Sequence, residues 1–367
     1  MTLVLDGIAK VVGRETHLDG ITLELAPGSM NVLLGRTLAG KTTLLRIIAG
    51  LEPPTTGRLH WHGRDVTGVP ARRRDVAVVY QQFINYPAFT VYDNIAAPLR
   101  RQGLDRAEID RRVRDTAGML GVGNLLDRLP AELSGGQQQR TAIARALVKR
   151  AGLLLMDEPL VNLDYKLREA LREELRELFA GTGTIVVYAT TEPAEALILG
   201  GHVAVLDEGR LRQFGPTLDV YHRPADTVAG AIFSDPPMNF LPAELARDRL
   251  ALGDGTALPL PVHARGLPPG PCTVGVRANH LTILRRKATD VGIPVRVELA
   301  EIAGSETILH VGHAGVALVA QEPGVHPHAL GEEATIHVDP DRVFVFAPDG
   351  RLLAAPEAQA RALSSVA

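Results

Sequence analysis

Cysteine is almost absent. Cys272 is the only one in 367 residues, which excludes an internal disulfide and a cysteine-based zinc site and fits a reducing compartment. Long apolar runs are missing as well. No stretch approaches the roughly 18 uninterrupted apolar residues that a membrane-crossing helix needs, so any membrane role is expected to run through a partner. Met1-Thr2-Leu3-Val4-Leu5-Asp6 lacks the basic-then-apolar pattern of a signal peptide, and export is not expected. Nor is there an excess of one charge: Lys and Arg number 39 against 42 Asp and Glu, a formal net charge of −3. That balance argues against a chain built mainly to grip nucleic acid. Internal repeats and low-complexity tracts are also lacking.

What is present is ordinary globular composition, 46% apolar and 22% charged, in a chain long enough for two domains. The centre of the first is Gly35-Arg36-Thr37-Leu38-Ala39-Gly40-Lys41-Thr42, which fits G-x-x-x-x-G-K-[ST]. The apolar run Val32-Leu33-Leu34 precedes it as a buried strand. Thr43 to Ala49 follows as a helix that stops at Gly50, so the motif stands in the strand–loop–helix context that gives it meaning. Loop amides and the helix N-terminus attract an anion. Lys41 can reach the β- and γ-phosphates of a nucleotide and the Thr42 hydroxyl can ligate Mg²⁺. A ligand-free glycine turn is the bland alternative, and the flanking pattern disfavours it.

Further strands are expected at Ile21–Leu25, Arg58–Trp61, Val76–Tyr80, Leu153–Met156 and Thr184–Ala189, with a hairpin around Asp207-Glu208-Gly209. Charged and aromatic residues between Phe83 and about residue 150 read as a helical insertion, including helices over Asp105–Leu120 and from Ser134 to about Lys149. Another helix, with Leu167, Leu171, Leu175 and Leu178 on one face, is expected from about Leu163 to Phe179. Strands alternating with helices imply a mostly parallel sheet and an α/β domain over residues 1–238. Short glycine-punctuated strands after residue 238 imply a small β-barrel or sandwich over 239–367.

Asp157 and Glu158 close the most apolar strand, where one carboxylate can hold Mg²⁺ through water and the other can polarise an attacking water. Alone such a pair is often a helix cap; with a P-loop upstream it gains weight. Leu133-Ser134-Gly135-Gly136-Gln137 is decisive. Ser134 is a good N-cap, and two glycines leave bare amides at a second phosphate-facing helix start. Two such surfaces make sense if two subunits face each other and each P-loop nucleotide is closed over by the other's Ser-Gly-Gly.

These residues resemble a family. The P-loop, Gln81, Leu133–Gln137, Leu155–Glu158 and Asn162-Leu163-Asp164 look like the Walker A, Q-loop, signature, Walker B and D-loop of ABC transporter ATPase subunits. Met238–Pro242, Gly275-Val276-Arg277 and Gly304–Thr307 resemble the OB-like regulatory domain of sugar-importer ATPases. The stretches Gln82–Pro87 and Tyr188–Pro193 look closest to bacterial glycerol or polyol uptake ATPases. The resemblance implies a P-loop ABC nucleotide-binding domain followed by an all-β OB-like domain. It implies ATP held by Val12, by Gly35, Arg36, Thr37, Leu38, Ala39, Gly40, Lys41, Thr42 and Thr43, and across the pair by Ser134, Gly135, Gly136, Gln137 and Asp164. Thr42, Gln81 and Asp157 would hold Mg²⁺; Glu158, Gln81 and Thr191 would take the catalytic positions. Phe83, Tyr86 and Phe89 would belong to a groove for a helix of the membrane subunit, the alternative being core packing. Implied partners are two permease subunits, a second ATPase subunit and, indirectly, a periplasmic solute-binding protein, at the cytoplasmic face of the bacterial inner membrane.

Three positions depart from that family. Thr191 stands where a histidine usually contacts the γ-phosphate, Val12 where an aromatic usually stacks on adenine, and Leu38 where the P-loop commonly has glycine. They point to a site that turns over slowly and to a pair of unlike ATPase subunits. Two other readings stay open at this point: a soluble ABC ATPase working on nucleic acid or ribosomes, and a nucleotide-binding regulator with weak hydrolysis.

Overall fold

The structure, a computed structural model, describes residues 2–82, 84–161, 168, 169, 172, 175 and 183–357. The chain divides into two compact units, Met1–Thr217 and Leu218–Ala367.

The first unit opens with an antiparallel layer. Strands β1 (Leu3–Val12) and β2 (Glu15–Leu25) alternate buried and exposed residues and pair as a hairpin. Next come β3 (Met30–Leu34), α1 (Lys41–Ala49), β4 (Thr56–Trp61), β5 (Arg64–Asp65) and β6 (Val76–Val79). The expected insertion follows as α2 (Val91–Arg101), α3 (Arg106–Met119) and α4 (Gly135–Leu147), each started by a side-chain cap: Thr90, Asp105 and Ser134. The unit continues with β7 (Leu153–Asp157), β8 (Ile185–Thr190), α5 (Pro193–Leu199), β9 (His202–Asp207) and β10 (Arg210–Pro216).

Two sheets result, β2-β1-β4-β5 and β10-β9-β3-β8-β7-β6. In the larger sheet β9, β3, β8, β7 and β6 run parallel and only β10 is antiparallel. Strands β7 and β8 are buried along their whole length, as parallel strands covered on both faces must be. This order sets the carboxyl ends of β3, β8 and β7 side by side, and in open α/β sheets that edge is where ligands bind. Helix α1 stops where expected: Gly50 adopts φ 73° and its N–H bonds to Ile47 O. The helix expected over 163–179 lies mostly outside the described residues; residues 168, 169, 172 and 175 are helical and Leu175 is buried. Among the described residues no helix is long and apolar enough to cross a membrane.

In the second unit α6 (Thr217–His222) begins at the division and α7 (Thr227–Ile232) follows. Then come β11 (Asn239–Leu245), β12 (Arg249–Leu252), β13 (Ala257–Pro259), β14 (Gly270–Val276), β15 (Leu281–Thr282) and β16 (Val291–Ile302). Strands β17 (Glu306–His313), β18 (Val316–Pro323), β19 (Glu333–Val338), β20 (Phe344–Phe346) and β21 (Leu352–Ala354) complete it. Two antiparallel sheets, β13-β12-β11-β14-β20-β21 and β15-β19-β16-β17-β18, share one apolar core. Asn239 links them: its amide donates to Val276 O and Val319 O and accepts from Val319 N–H.

The division falls ahead of the residue-238 boundary that composition suggests. Arg277 on the β side is the physical reason. Its guanidinium donates to Tyr221 O at 2.6 Å and Phe233 O at 2.7 Å, so the segment before β11 packs with the β unit.

Candidate nucleotide-binding site

The loop between β3 and α1 is shaped by what cannot fit there. A Cβ on Gly40 (φ 95°) would meet Leu18 Cδ2 at 2.7 Å and His17 O at 2.8 Å; one on Gly35 would meet Leu206 O at 2.5 Å. Leu38 takes the left-handed φ of 68° that glycine tolerates best, with its side chain 94% exposed. It is therefore a solvent-facing, mildly strained position and not a core anchor. Gly40 caps α1 without any side-chain hydrogen bond, which leaves the first-turn amides free of an internal acceptor.

Lys41 begins α1 and is 5% exposed. Its ammonium donates to Gly35 O at 2.8 Å and Arg36 O at 3.1 Å and pairs with Glu158 Oε1 at 3.3 Å. Burial lowers its pKa, with Glu158 and Asp157 pulling the other way. Thr42 Oγ1 donates to Asp157 Oδ1 at 3.1 Å. Burial raises the Asp157 pKa against the Thr42 bond, and the Glu158 charge adds to the rise. Gln81 Nε2 donates to Glu158 Oε2 at 3.2 Å. Five residues from four elements thus converge. Glu158 itself stands at φ 45°, held by its N–H bond to Ala189 O. Strain of this kind is kept where neighbours over-determine it.

Other expected residues lie in three places. Arg36 and Thr37 are exposed on the loop, Ala39 is buried beneath it and Thr43 is half-buried. Val12 ends β1 half-exposed, on the hairpin whose His17–Leu18 flank Gly40. Thr191 follows β8 directly behind Thr190, whose carbonyl accepts Gly35 N–H at 3.4 Å. Ser134, Gly135, Gly136 and Gln137 start α4, where Ser134 and Gln137 cap each other: Gln137 Oε1 takes Ser134 N–H at 3.0 Å and Ser134 Oγ takes Gln137 N–H at 3.4 Å. Among the described residues no hydrogen bond joins this group to the P-loop. Asp164 and Phe83 lie outside the described residues. Tyr86 and Phe89 pack on each other at 5.4 Å and are 47% and 42% exposed, so neither is a core residue.

Sequence reasoning missed the supports. Asn85 Nδ2 donates to Gln138 O at 2.8 Å and Arg145 Nη2 donates to Ile84 O, with the Arg145 guanidinium 5.0 Å over the Tyr86 ring. These bonds tie the segment after Gln81 to α4. Behind Thr191, the buried Glu195 accepts Thr190 Oγ1–H at 2.6 Å and Tyr188 O–H at 3.0 Å and faces Arg172 Nε at 3.5 Å. A carboxylate inside the apolar stretch Pro193–Leu199 was the one available signal.

The chemistry here is that of a triphosphate cradle with a positioned carboxylate, and the comparisons match it. Residues 18–161 match the ABC transporter family, 235–281 the MalK OB fold domain and 274–346 the TOBE domain. The β unit therefore carries two family domains where the sequence suggested one OB-like domain. The sulfoquinovosyl glycerol transport ATP-binding protein of Agrobacterium fabrum is 38% identical over 341 residues, 92% of this chain and 95% of that protein. The sn-glycerol-3-phosphate import ATP-binding protein of Chromohalobacter salexigens is 38% identical over 354 residues, 94% of each. A dimeric ATP-binding cassette solved after hydrolysis with ADP and phosphate superposes with TM-score 0.54 at 28% identity, covering 59% of this chain and 98% of that one. Neither named relative favours a soluble nucleic-acid ATPase. Five converging P-loop-edge residues, three matching domain families and near full-length similarity to transport ATP-binding proteins place this chain in the ABC transporter family, as one of its import ATP-binding proteins.

Proposed function

We propose that this subunit binds and hydrolyses ATP to drive a bacterial importer of a small carbohydrate or polyol, with glycerol or a glycerol derivative among the candidate solutes. The observation that carries the reading is the Lys41–Glu158–Gln81 contact set. Lys41 is held by two loop carbonyls and neutralised by Glu158. Entering phosphates give Lys41 a new counter-ion and free Glu158, still steadied by Gln81, to accept a proton from water. That water attacks the γ-phosphorus as the bond to the β-phosphate oxygen breaks, leaving ADP and phosphate. Thr42 and Asp157 present adjacent hard oxygens, and Gln81 stands close by; these suit Mg²⁺, which binds through one or two carboxylates plus substrate phosphates and would neutralise phosphate charge. Asp157 reads as a buried anion in want of a cation.

The site is half of a composite. Ser134–Gln137 of a second ATPase subunit would close it, and Asp164 would contribute. Thr191 offers only a hydroxyl where an imidazole would orient the γ-phosphate, which supports a partner of a different sequence. Two permease subunits would dock near Tyr86 and Phe89, a periplasmic binding protein would deliver solute, and the subunit would sit peripherally on the cytoplasmic face of the inner membrane. No nucleic acid is involved.

The test is turnover of the assembly purified in detergent with its membrane subunits. Glu158→Gln should lower hydrolysis by about 100-fold or more while nucleotide binding is retained. Unchanged turnover, or failure to recover membrane subunits, would refute the reading.

A further inference from the structure

The P-loop start, Glu158 and Thr191 meet at the end of β8. Ala189 O accepts the Glu158 N–H at 3.0 Å, and Thr190 O accepts the Gly35 N–H at 3.4 Å. Thr191 comes next in the chain. These backbone bonds fix one side of the edge. The other side is closed by side chains outside the phosphate cradle. Arg168 Nη1 donates to Glu192 Oε1 at 2.7 Å, and its Nη2 donates to Val161 O at 3.2 Å. Val161 closes the turn after Glu158, with its N–H on Glu158 O at 3.5 Å. The Glu192 N–H bonds to Thr190 Oγ1 at 3.0 Å, so Thr191 is the residue enclosed by that short turn.

The result is a closed ring of bonds. It runs from Glu158 across Ala189 to Thr190 and Glu192, over Arg168 to Val161, and back to Glu158. Glu158 stands at φ 45° within it. A left-handed residue other than glycine persists where its surroundings over-determine it, and here the chain is held on both sides of the residue. The ring is also anchored from beneath. Glu195 is 4% exposed and accepts the Thr190 hydroxyl. Arg172 is 6% exposed and faces Glu195 at 3.5 Å and Glu192 at 3.9 Å.

A surface ion pair is the plain alternative, and such pairs contribute little to stability. The placement argues for more. Glu192 is the N-cap residue of α5, yet among the described residues its side chain makes no capping bond; the carboxylate faces the two arginines instead. Arg168 spends two nitrogens of its planar fork on two different acceptors, one of them a backbone carbonyl, which a lysine could not reproduce. Both acceptors belong to the turns that carry Glu158 and Thr191. We propose that Arg168 and Glu192 are positioning residues for hydrolysis: their strut holds the Glu158 turn and the Thr191 turn in register, so that both act on the same γ-phosphate. The inference rests on the hydrolytic reading of Glu158, and it adds that the spacing of the two turns sets the rate.

The test is turnover of the detergent-purified assembly, with the ATP affinity and stoichiometry of each subunit variant read by calorimetry. Glu192→Ala and Arg168→Met should each lower kcat by about tenfold, the scale of a small misplacement of reacting groups, while KM, affinity and stoichiometry are kept. A merely structural role would instead reduce bound nucleotide per chain together with the rate. The double variant should be no slower than either single one, because each already opens the ring. Glu192→Asp, which keeps the carboxylate, should recover much of the lost rate. Arg168→Lys, which keeps the charge but not the fork, should stay close to Arg168→Met. The proposal is overturned by parental kcat in either single variant, by multiplicative losses in the double variant, by Glu192→Asp as slow as Glu192→Ala, or by a rate that falls only as bound nucleotide falls. Parental turnover that survives Glu158→Gln would overturn the hydrolytic reading itself, and this proposal with it.

Discussion

Two glycine-containing helix N-termini, those of α1 and α4, are finished differently. Helix α1 begins at Gly40 with no side-chain cap, so its first-turn amides wait for an external acceptor. Helix α4 begins at Ser134, whose hydroxyl and the Gln137 amide already cap each other. The first also has a counter-charge in reach, Lys41, drawn in by two carbonyls and Glu158. The second has glycines and dipole but no adjacent cation of its own in the motif. An N-terminus with no side-chain cap and a lysine beside it suits an anion by itself. A self-capped one contributes only when a phosphate already held elsewhere is brought to it. The asymmetry between the two ends fits the composite site proposed above.

The largest effect should follow removal of the lysine. Lys41→Ala deletes a buried charged donor worth roughly 2–3 kcal/mol, so the isolated subunit should bind ATP about 100-fold more weakly by calorimetry. Ser134→Ala should leave that measurement nearly unchanged while lowering turnover of the assembled pair. Equal losses in the isolated subunit would break the distinction between a complete and an incomplete end. Next in size is Thr191→His, expected to raise steady-state hydrolysis by about tenfold through a properly placed imidazole. An unchanged rate would show that Thr191 is not what limits this site. Smaller again is the effect of Ser134→Ala on folding. Loss of the cap should cost about 1 kcal/mol in urea unfolding, whereas α1 has no side-chain cap to lose.

Much of this was legible in the sequence because the signals are local. The P-loop needs a fixed spacing, Gly50 is a helix stop, and β7 and β8 are uninterrupted apolar runs that only a covered parallel strand explains. Ser134 could be read as a cap because its partner Gln137 is three residues away. What was hidden is long-range or weakly patterned. The Gln81–Glu158 bond joins residues 77 apart in sequence, and Arg145 meets Ile84 across 61. In the β unit, β11 contains Pro242, and β12, β13, β15 and β21 are four residues or fewer, too short to show a period. The domain division moved because a single buried arginine, Arg277, recruits the segment before β11, and no local pattern announces that.

The supports behind the site can be probed more gently, through pH. Glu195 lies beneath Thr191, accepting hydroxyls from Tyr188 and Thr190 and facing Arg172, and burial raises its pKa above the ordinary 4.5, opposed in part by the Thr190 bond. An acid whose folded pKa is raised binds protons more readily folded than unfolded. Its contribution to stability is fully present below the unfolded value near 4.5 and is lost as pH rises through the folded value. Glu195→Gln removes the titration but keeps an acceptor for both hydroxyls. The stability of the parent minus that of the variant, from urea unfolding, should therefore shrink as pH rises from about 4 to 7. A gap that widens with pH would mean that pairing with Arg172 outweighs desolvation and that Glu195 is ionised without cost. The distinction bears on the P-loop as well. The Thr190 carbonyl accepts the Gly35 N–H at the start of the P-loop, so the residue whose hydroxyl Glu195 accepts also joins β8 to that loop.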